Sequence, residues 1–480
     1  MGPRPGPPGL AAAKDAALSA SSTSAAAARG SVLPATAGEL PAWEVTDLPA
    51  PPAFGFRNLL KVIGPGAVMA ATSIGGGEWL VGPAAAVKYS SSIFLIATVS
   101  IALQVLFNLE AIRYTLYTGE PIYGGIMRLK PGPRFWAGFY SVLGFFQLGW
   151  PALAGSAAAT LLGAWMGRMP GAPDQPAQAA VATGLIVVNV AFVPFSHWAR
   201  TFAGFFSFSG LPHPIDWGLI GALAATAGSG GLGNLTVTNW VRDKGFGMGS
   251  KVGSIPSAIG GHQIPLSHVG KVFEASGENL SRWHEWLRYV HADQIWVWGL
   301  FCFFGMYLNV NLATAIIPAG TDLQGLAAGA YQAQYLKAIW PGFWFLTLFN
   351  GFWILFKTQL GNTDILVRTI TDALWMSSPT ARGLSRGIRA IYYGILVLFS
   401  VWGAIVIRSA SPFQLFKVLA NMAGIVLVIA GIQIFIVNRR FLPRAVRPPA
   451  WREIGLLVCS GFYAFFAFFV IRDLVRSLMR

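Results

Sequence analysis

Two short stretches of this chain combine residue types that a membrane span ordinarily avoids. The first is Thr72-Ser73-Ile74-Gly75-Gly76-Gly77-Glu78-Trp79, preceded by Gly64-Pro65-Gly66. Each of three consecutive glycines disfavours a helix by about 1 kcal/mol against alanine. The carboxylate that follows is costly inside a bilayer and usually functional there. Together they predict a helix broken near mid-membrane, where irregular backbone is tolerated only if it is buried in protein or lines a cavity. The second stretch, Thr226-Ala227-Gly228-Ser229-Gly230-Gly231-Leu232-Gly233-Asn234, is followed by Thr236, Thr238 and Asn239 and repeats the device. Glycine-interrupted spans in corresponding positions of two halves point to a transporter's central site. Helix ends exposed at such breaks offer dipoles and free carbonyls to ions or charged groups. The plainer reading is that the glycines allow close helix packing and that Glu78 pairs with an Arg or Lys.

Thr72, Gly75, Gly76, Glu78, Gly228, Ser229, Gly231 and Asn234 are therefore candidate substrate-binding residues, with Glu78 the candidate metal ligand. Gln359 and Asn362 join them, being three apart on one helical face. Gln104, Asn108, Glu110, Gln147, Asn309, Asn311, Thr358 and Asp364 also fall in or beside apolar runs, and each alone reads as an interhelical hydrogen bond. The histidines lie outside the confident runs, and the chain has no HExxH, phosphate-binding loop or nucleophile elbow. Neither an enzyme nor an ATP-driven pump is indicated, and no cofactor is implied.

The elements that must position these residues are apolar. Of 480 residues, 54% are hydrophobic and 11% charged, where a soluble domain carries about 25% charged. Spanning helices need roughly 20 mostly apolar residues. About ten runs qualify: Val62–Val87, Ile93–Tyr117, Trp136–Trp165, Ala179–Phe195, Ile215–Leu235, Ile295–Ile317, Trp340–Leu360, Ala390–Ile407, Phe416–Val437 and Ile454–Val470. The expected class is an all-α integral membrane protein, with the lipid bilayer as its surroundings. Residues 1–52, rich in Ala, Pro, Ser and Gly, read as a disordered cytoplasmic tail, and 53–480 as one transmembrane domain. Cys302 and Cys459 sit inside apolar runs without a CxxC partner and read as packing residues.

The net charge of +15 falls in short clusters between runs. That pattern is a topology signal rather than a nucleic-acid surface. Basic clusters around Arg57, Arg128, Lys244–Arg282, Arg368–Arg389 and Arg439–Arg452 mark cytoplasmic loops and place the N-terminus in the cytoplasm of an inner cell membrane. Parity then fails between the fourth and fifth runs, because both should end on the cytoplasmic side. The apolar part of His197–Pro214 is only Phe202–Leu211, too short to span. A span there is missing, truncated or re-entrant.

From Gly64-Pro65-Gly66 through the first broken run to Thr118-Gly119, and again at Asn438-Arg439-Arg440 with Leu442-Pro443, the sequence resembles the Nramp family of divalent-metal transporters. The resemblance implies the leucine-transporter-type inverted repeat with broken first and sixth helices, and here a missing or truncated fifth helix around Ser196–Pro214. It also implies a small inorganic cation as partner. Motifs that carry that chemistry in the family are replaced. Its Asp-Pro-Gly-Asn aligns with Gly75-Gly76-Gly77-Glu78, and its Met-Pro-His falls in the Gly-rich second stretch, which has neither Met nor His. Loss of the soft thioether argues against manganese or iron, and oxygen donors suit a hard divalent cation such as magnesium. No His, Asp or Glu stands in the third run, where the family places its proton relay. A small organic solute such as an amino acid, held by helix N-termini and Glu78, is a second expectation. The third is a scaffold or sensor that transports nothing and presents the loop Arg242–Tyr289 to a partner.

Overall fold

The computed structural model describes residues 32–90, 93–150, 152–166, 195–207, 210, 214–254, 266–323, 331–384 and 387–479. The fold is all-α apart from one two-residue pairing. Its helices are α1 (Phe56–Val62), α2 (Pro65–Ser73), α3 (Gly82–Tyr89), α4 (Leu95–Thr118), α5 (Ile122–Met127), α6 (Pro133–Leu148), α7 (Ala152–Met166), α8 (Phe195–Gly204), α9 (Trp217–Thr226) and α10 (Leu232–Asp243). They continue as α11 (Gly277–His291), α12 (Leu300–Ile316), α13 (Gly342–Ser377), α14 (Gly387–Val406), α15 (Pro412–Phe441) and α16 (Ala450–Leu478). Turns of π-helix over Gly77–Val81 and Ala292–Gly299 run into α3 and α12.

Six helical stretches among the described residues are long and apolar enough to cross a membrane, and α1 with the stretch Pro65–Tyr89, bent by 60°, makes a seventh. At 1.5 Å per residue, the 36 residues of α13 reach about 54 Å, longer than the hydrocarbon core. The expected run Ala179–Phe195 lies outside the described residues save its last position. The architecture is the inverted repeat with broken first and sixth helices.

Among the described residues between 195 and 214, the helix is α8, ten residues and about 15 Å long. It lies against α12: Tyr307 Oη donates to the Trp198 carbonyl at 2.8 Å, and His197 Nε2 is 3.0 Å from Thr314 Oγ1. Phe202, Phe205 and Phe206 pack on Phe303 at ring separations of 5.2–6.0 Å.

Part of the expected tail is packed. The first 31 residues lie outside the described residues, but 32–53 runs across one end of the bundle. Arg128 donates to the carbonyls of Ala37 (2.7 Å) and Pro41 (2.8 Å), Arg282 to Leu48 (2.8 Å) and Trp286 to Pro49 (2.8 Å). Strand β1 (Glu44–Val45) pairs in parallel with β2 (Lys271–Val272), and Leu48 is fully buried. Composition misjudges this stretch because it is held by its backbone carbonyls, which every residue type supplies.

Arg128 reaches those carbonyls because its charge is already matched. Glu120 and Arg128 are both buried and share a bidentate pair at 2.6 and 2.9 Å, and Glu120 also accepts from Tyr114 Oη (2.5 Å) and Gly270 N (2.9 Å). Burial alone would raise the Glu120 carboxyl, but the Arg128 charge and these donors hold it below its ordinary value. Removing one partner of a buried pair typically costs about 3–5 kcal/mol. We therefore expect Glu120→Gln to lower the melting temperature of the purified protein by many degrees. A depressed carboxyl stabilises the fold above its unfolded value, and that contribution is lost as pH falls through the folded value. The wild-type melting temperature should accordingly drop below about pH 4.5, with the variant flatter across the same range.

Candidate functional site

Both glycine stretches break their helices where the sequence places them. After Ser73 the chain leaves α2 at Ile74 (φ −65°, ψ 94°) and re-enters a helix at Gly77. α9 ends at Thr226, and Gly230 (φ +70°) and Gly231 (φ +63°) turn the chain into α10. Positive φ at both positions requires glycine.

The two breaks meet. A Cβ on Gly77 would strike the Thr226 carbonyl, one on Gly75 would strike Thr358 of α13, and one on Gly76 would enter the Phe416 ring of α15. Three glycines in a row thus let one break seat against three neighbours at once. Two glutamines stitch the second break. Gln147 Nε2 donates to the Gly230 carbonyl (3.0 Å) and its Oε1 accepts from Leu232 N (3.0 Å). Gln104 Oε1 accepts from Gly230 N (3.3 Å), while its amide nitrogen contacts Ser100 Oγ and Tyr463 Oη, each at 3.0 Å.

Between the breaks lies a cavity of about 30 Å³, room for about one or two waters or one small ion. Thr72, Ser73, Gly76, Gln147, Thr226, Ser229, Thr358 and Asn362 supply much of its lining, with Phe416 and Leu419 on the apolar side. Among the described residues, its wall carries no charged group, no thioether and no imidazole. No cluster of three or more His, Cys, Asp or Glu that could hold a metal occurs among the described residues.

Of the ten residues expected at the site, Thr72, Gly76, Gly228, Ser229 and Asn362 line the cavity. Gly75 sits behind it against Thr358, and Gly231 lies beneath Gln147 and Ala423. Asn234 turns away to Asn108 Oδ1 (2.9 Å), which continues through Gln294 (3.1 Å) toward Asp293. Gln359 accepts from Ala154 N (3.2 Å), so its helix-face partnership with Asn362 is not used.

Glu78 stands apart from the cavity. It is fully buried but outside the cavity lining. Its Oε2 accepts from Gly75 N at 2.7 Å, closing the first break on itself, and its Oε1 has no hydrogen-bond partner. It reaches back three residues to a free amide of the break, as a glutamate in the first turn of a helix does. Sequence reading ranks Gln147 and Thr358 with the ordinary mid-span polar residues. Nothing in the sequence shows that they lie opposite glycines far away in the chain.

No family sequence model matches this chain, and no curated protein matches it. Solved structures do. A histidine-to-alanine variant of the Eremococcus coleocola manganese transporter superposes with a TM-score of 0.56 at 13% identity, over 92% of this chain and 91% of that one. A glutamate-to-glutamine variant of the same transporter gives 0.57 at 12% identity over 91% of each chain. Its complex with an aromatic bis-isothiourea compound gives 0.55 at 12%, over 90% and 91%. The chain therefore has an Nramp-like fold in an integral membrane protein.

The stitching of the second break is testable. Gln147→Ala would leave a carbonyl and an amide unpaired in the membrane interior, at about 1–3 kcal/mol each. Gly231→Ala would place a Cβ 2.6 Å from Gln147 Oε1 on a residue at φ +63°. Both should lower the melting temperature in detergent. Gly394→Ala, which meets nothing within 4 Å, should not.

Proposed function

We propose that this chain is a divergent Nramp-like secondary transporter that moves a small, hard divalent cation, magnesium rather than manganese or iron. The observation that carries the reading is the cavity. It lies where two broken helices meet, holds about one dehydrated ion, and is lined on its polar side by hydroxyl, amide and backbone groups. Oxygen-only donor sets suit hard cations, and the missing thioether removes the usual preference for softer metals. The neighbouring structures are of a manganese transporter, which supports metal-ion transport in general and leaves the choice of metal to the donor atoms.

Glu78 acts from behind the Gly75 amide rather than as a direct ligand. The small volume speaks against an amino acid or similar solute. Arg128, Lys271 and Arg452 gather at the end of the bundle crossed by residues 32–53, which supports a cytoplasmic N-terminus in an inner cell membrane. The alternative reading is a scaffold that binds without flux.

The test is uptake into proteoliposomes of purified protein, offered magnesium, calcium and manganese with and without a pH gradient. Magnesium or calcium uptake should exceed manganese uptake. Glu78→Gln should reduce it by about tenfold or more, equivalent to about 1.4 kcal/mol of lost interaction. Unchanged uptake in that variant removes Glu78 from the mechanism. Cation binding without flux in the wild type would favour the scaffold.

A further inference from the structure

A second cavity, of about 510 Å³, lies between α8 and the last turns of α3 and α12. Both of those helices close spans that begin beside residues 32–53, so the cavity sits at the opposite membrane surface. His197, Arg200 and Thr201 stand at i, i+3 and i+4 on α8 and share one face. That face lines the cavity together with Lys88 and Thr314. Lys88 lies 3.5 Å from Asp216, but the same carboxylate accepts from Leu219 N at 2.9 Å and lies 4.0 Å from Lys417. One carboxylate thus faces two lysines, and Arg200 adds a third cation, exposed and without an ion pair among the described residues. Thr201 is buried, yet its hydroxyl has no hydrogen-bond partner among the described residues.

Deeper along the same two helices the surface turns apolar. Phe202 and Phe206 are exposed on α8 where it packs on Phe303, and Phe304 is exposed on α12. From Thr314 at the cavity to Phe303 is about 16 Å along α12. A basic, hydroxyl-bearing pocket at the membrane surface therefore continues into an aromatic track that faces hydrocarbon.

We propose that this cavity holds the phosphate headgroup of one anionic phospholipid, whose acyl chains follow Phe202, Phe206 and Phe304. Guanidinium groups pair with phosphate through two parallel hydrogen bonds, and lysine adds a point charge. Basic pockets between membrane helices are suited to such headgroups. A free phosphate ion would fill a fraction of the volume and leave the aromatic track unused. The bound lipid ties α8 to α3 and α12. No residue lines both this cavity and the one between the helix breaks, so the site stands apart from the transport reading.

The test uses the full chain purified in detergent. Phosphatidylglycerol, phosphatidylcholine and inorganic phosphate are titrated separately while thermal unfolding is followed, and native mass spectrometry counts retained phospholipid. Phosphatidylglycerol should raise the melting temperature saturably, with one molecule retained per chain, and the other two should not. Arg200→Gln and Lys88→Gln should each raise the half-saturating phosphatidylglycerol concentration by about tenfold, the loss expected for one charge-assisted hydrogen bond. Arg200 has no ion pair to lose among the described residues, so its variant decides the matter if Lys88→Gln disturbs the Asp216 contact. Arg476 is an exposed cation near the end of α16, which reaches the same surface where Trp217 stacks on Phe469. Arg476→Gln should leave half-saturation within about twofold of wild type. An unchanged half-saturation in Arg200→Gln, an equal shift in Arg476→Gln, or an equal effect of phosphatidylcholine would overturn the proposal. Stabilisation by inorganic phosphate at the concentrations at which the lipid acts would overturn it too, by making the cavity a free-anion site.

Discussion

Hydrocarbon offers no water to an unpaired peptide group, so every amide and carbonyl freed by a helix break must find a partner inside the protein. Two breaks at one depth make that demand twice, and much of this structure is the response. At the second break, Gln147 takes one carbonyl and one amide, and Gln104 takes another amide. Glu78 takes the Gly75 amide at the first, while Thr358 and Lys357 approach the carbonyls that α2 leaves open. Glycine is needed so that these partners can come close enough. The polar character of the central cavity therefore has a structural cause before it has a functional one. Groups recruited to satisfy backbone also surround the space between the breaks.

The halves of each broken helix are tied to different neighbours. α10 is fixed to α13 by the buried pair Arg242–Asp372 (2.9 Å), extended by Arg368, which spans Asp243 (2.5 Å) and Asp364 (3.1 Å). Losing one partner of such a pair costs about 3–5 kcal/mol, so α10 and α13 should move as one. α9 belongs instead to α15 and α16, where Trp217 stacks on Phe469 at 4.1 Å. α2 is held at its start by Asp293, which accepts from Gly66 N at 2.6 Å, whereas α3 lies on α12. Breaks whose two sides are anchored separately are hinges by construction. The glycines that accommodate the break are also where backbone angles change most easily.

Much of this was legible in the sequence because it depends on composition along the chain. Apolar runs marked the spans and glycine runs marked both breaks. What stayed hidden depends on contacts between distant positions. Gln147 looks like any mid-span glutamine until Gly230 is found opposite it. Residues 32–53 look unstructured because their partners, Arg128, Arg282 and Trp286, lie far along the chain and bind mostly backbone carbonyls, with the Trp43 ring on Arg128. Glu78 was legible as important and illegible as to direction. Nothing in its residue type shows that its carboxylate closes on the Gly75 amide.

That shift changes what the carboxylate can do. A carboxylate bonded directly to a divalent ion in a low-dielectric site holds it strongly, and a carrier that holds its cargo too strongly does not release it. Conduction and transport both need binding that is favourable on entry and weak enough to leave. With Glu78 one layer back and bonded to the Gly75 amide, the cavity presents neutral oxygens. Neutral donors in a space of about 30 Å³ discriminate by size and by the cost of dehydration. On the proposed reading, the loss of direct ionic and thioether ligands is a move from strong, soft-metal coordination to weaker hard-ion selection, and the glycines are what make room for it.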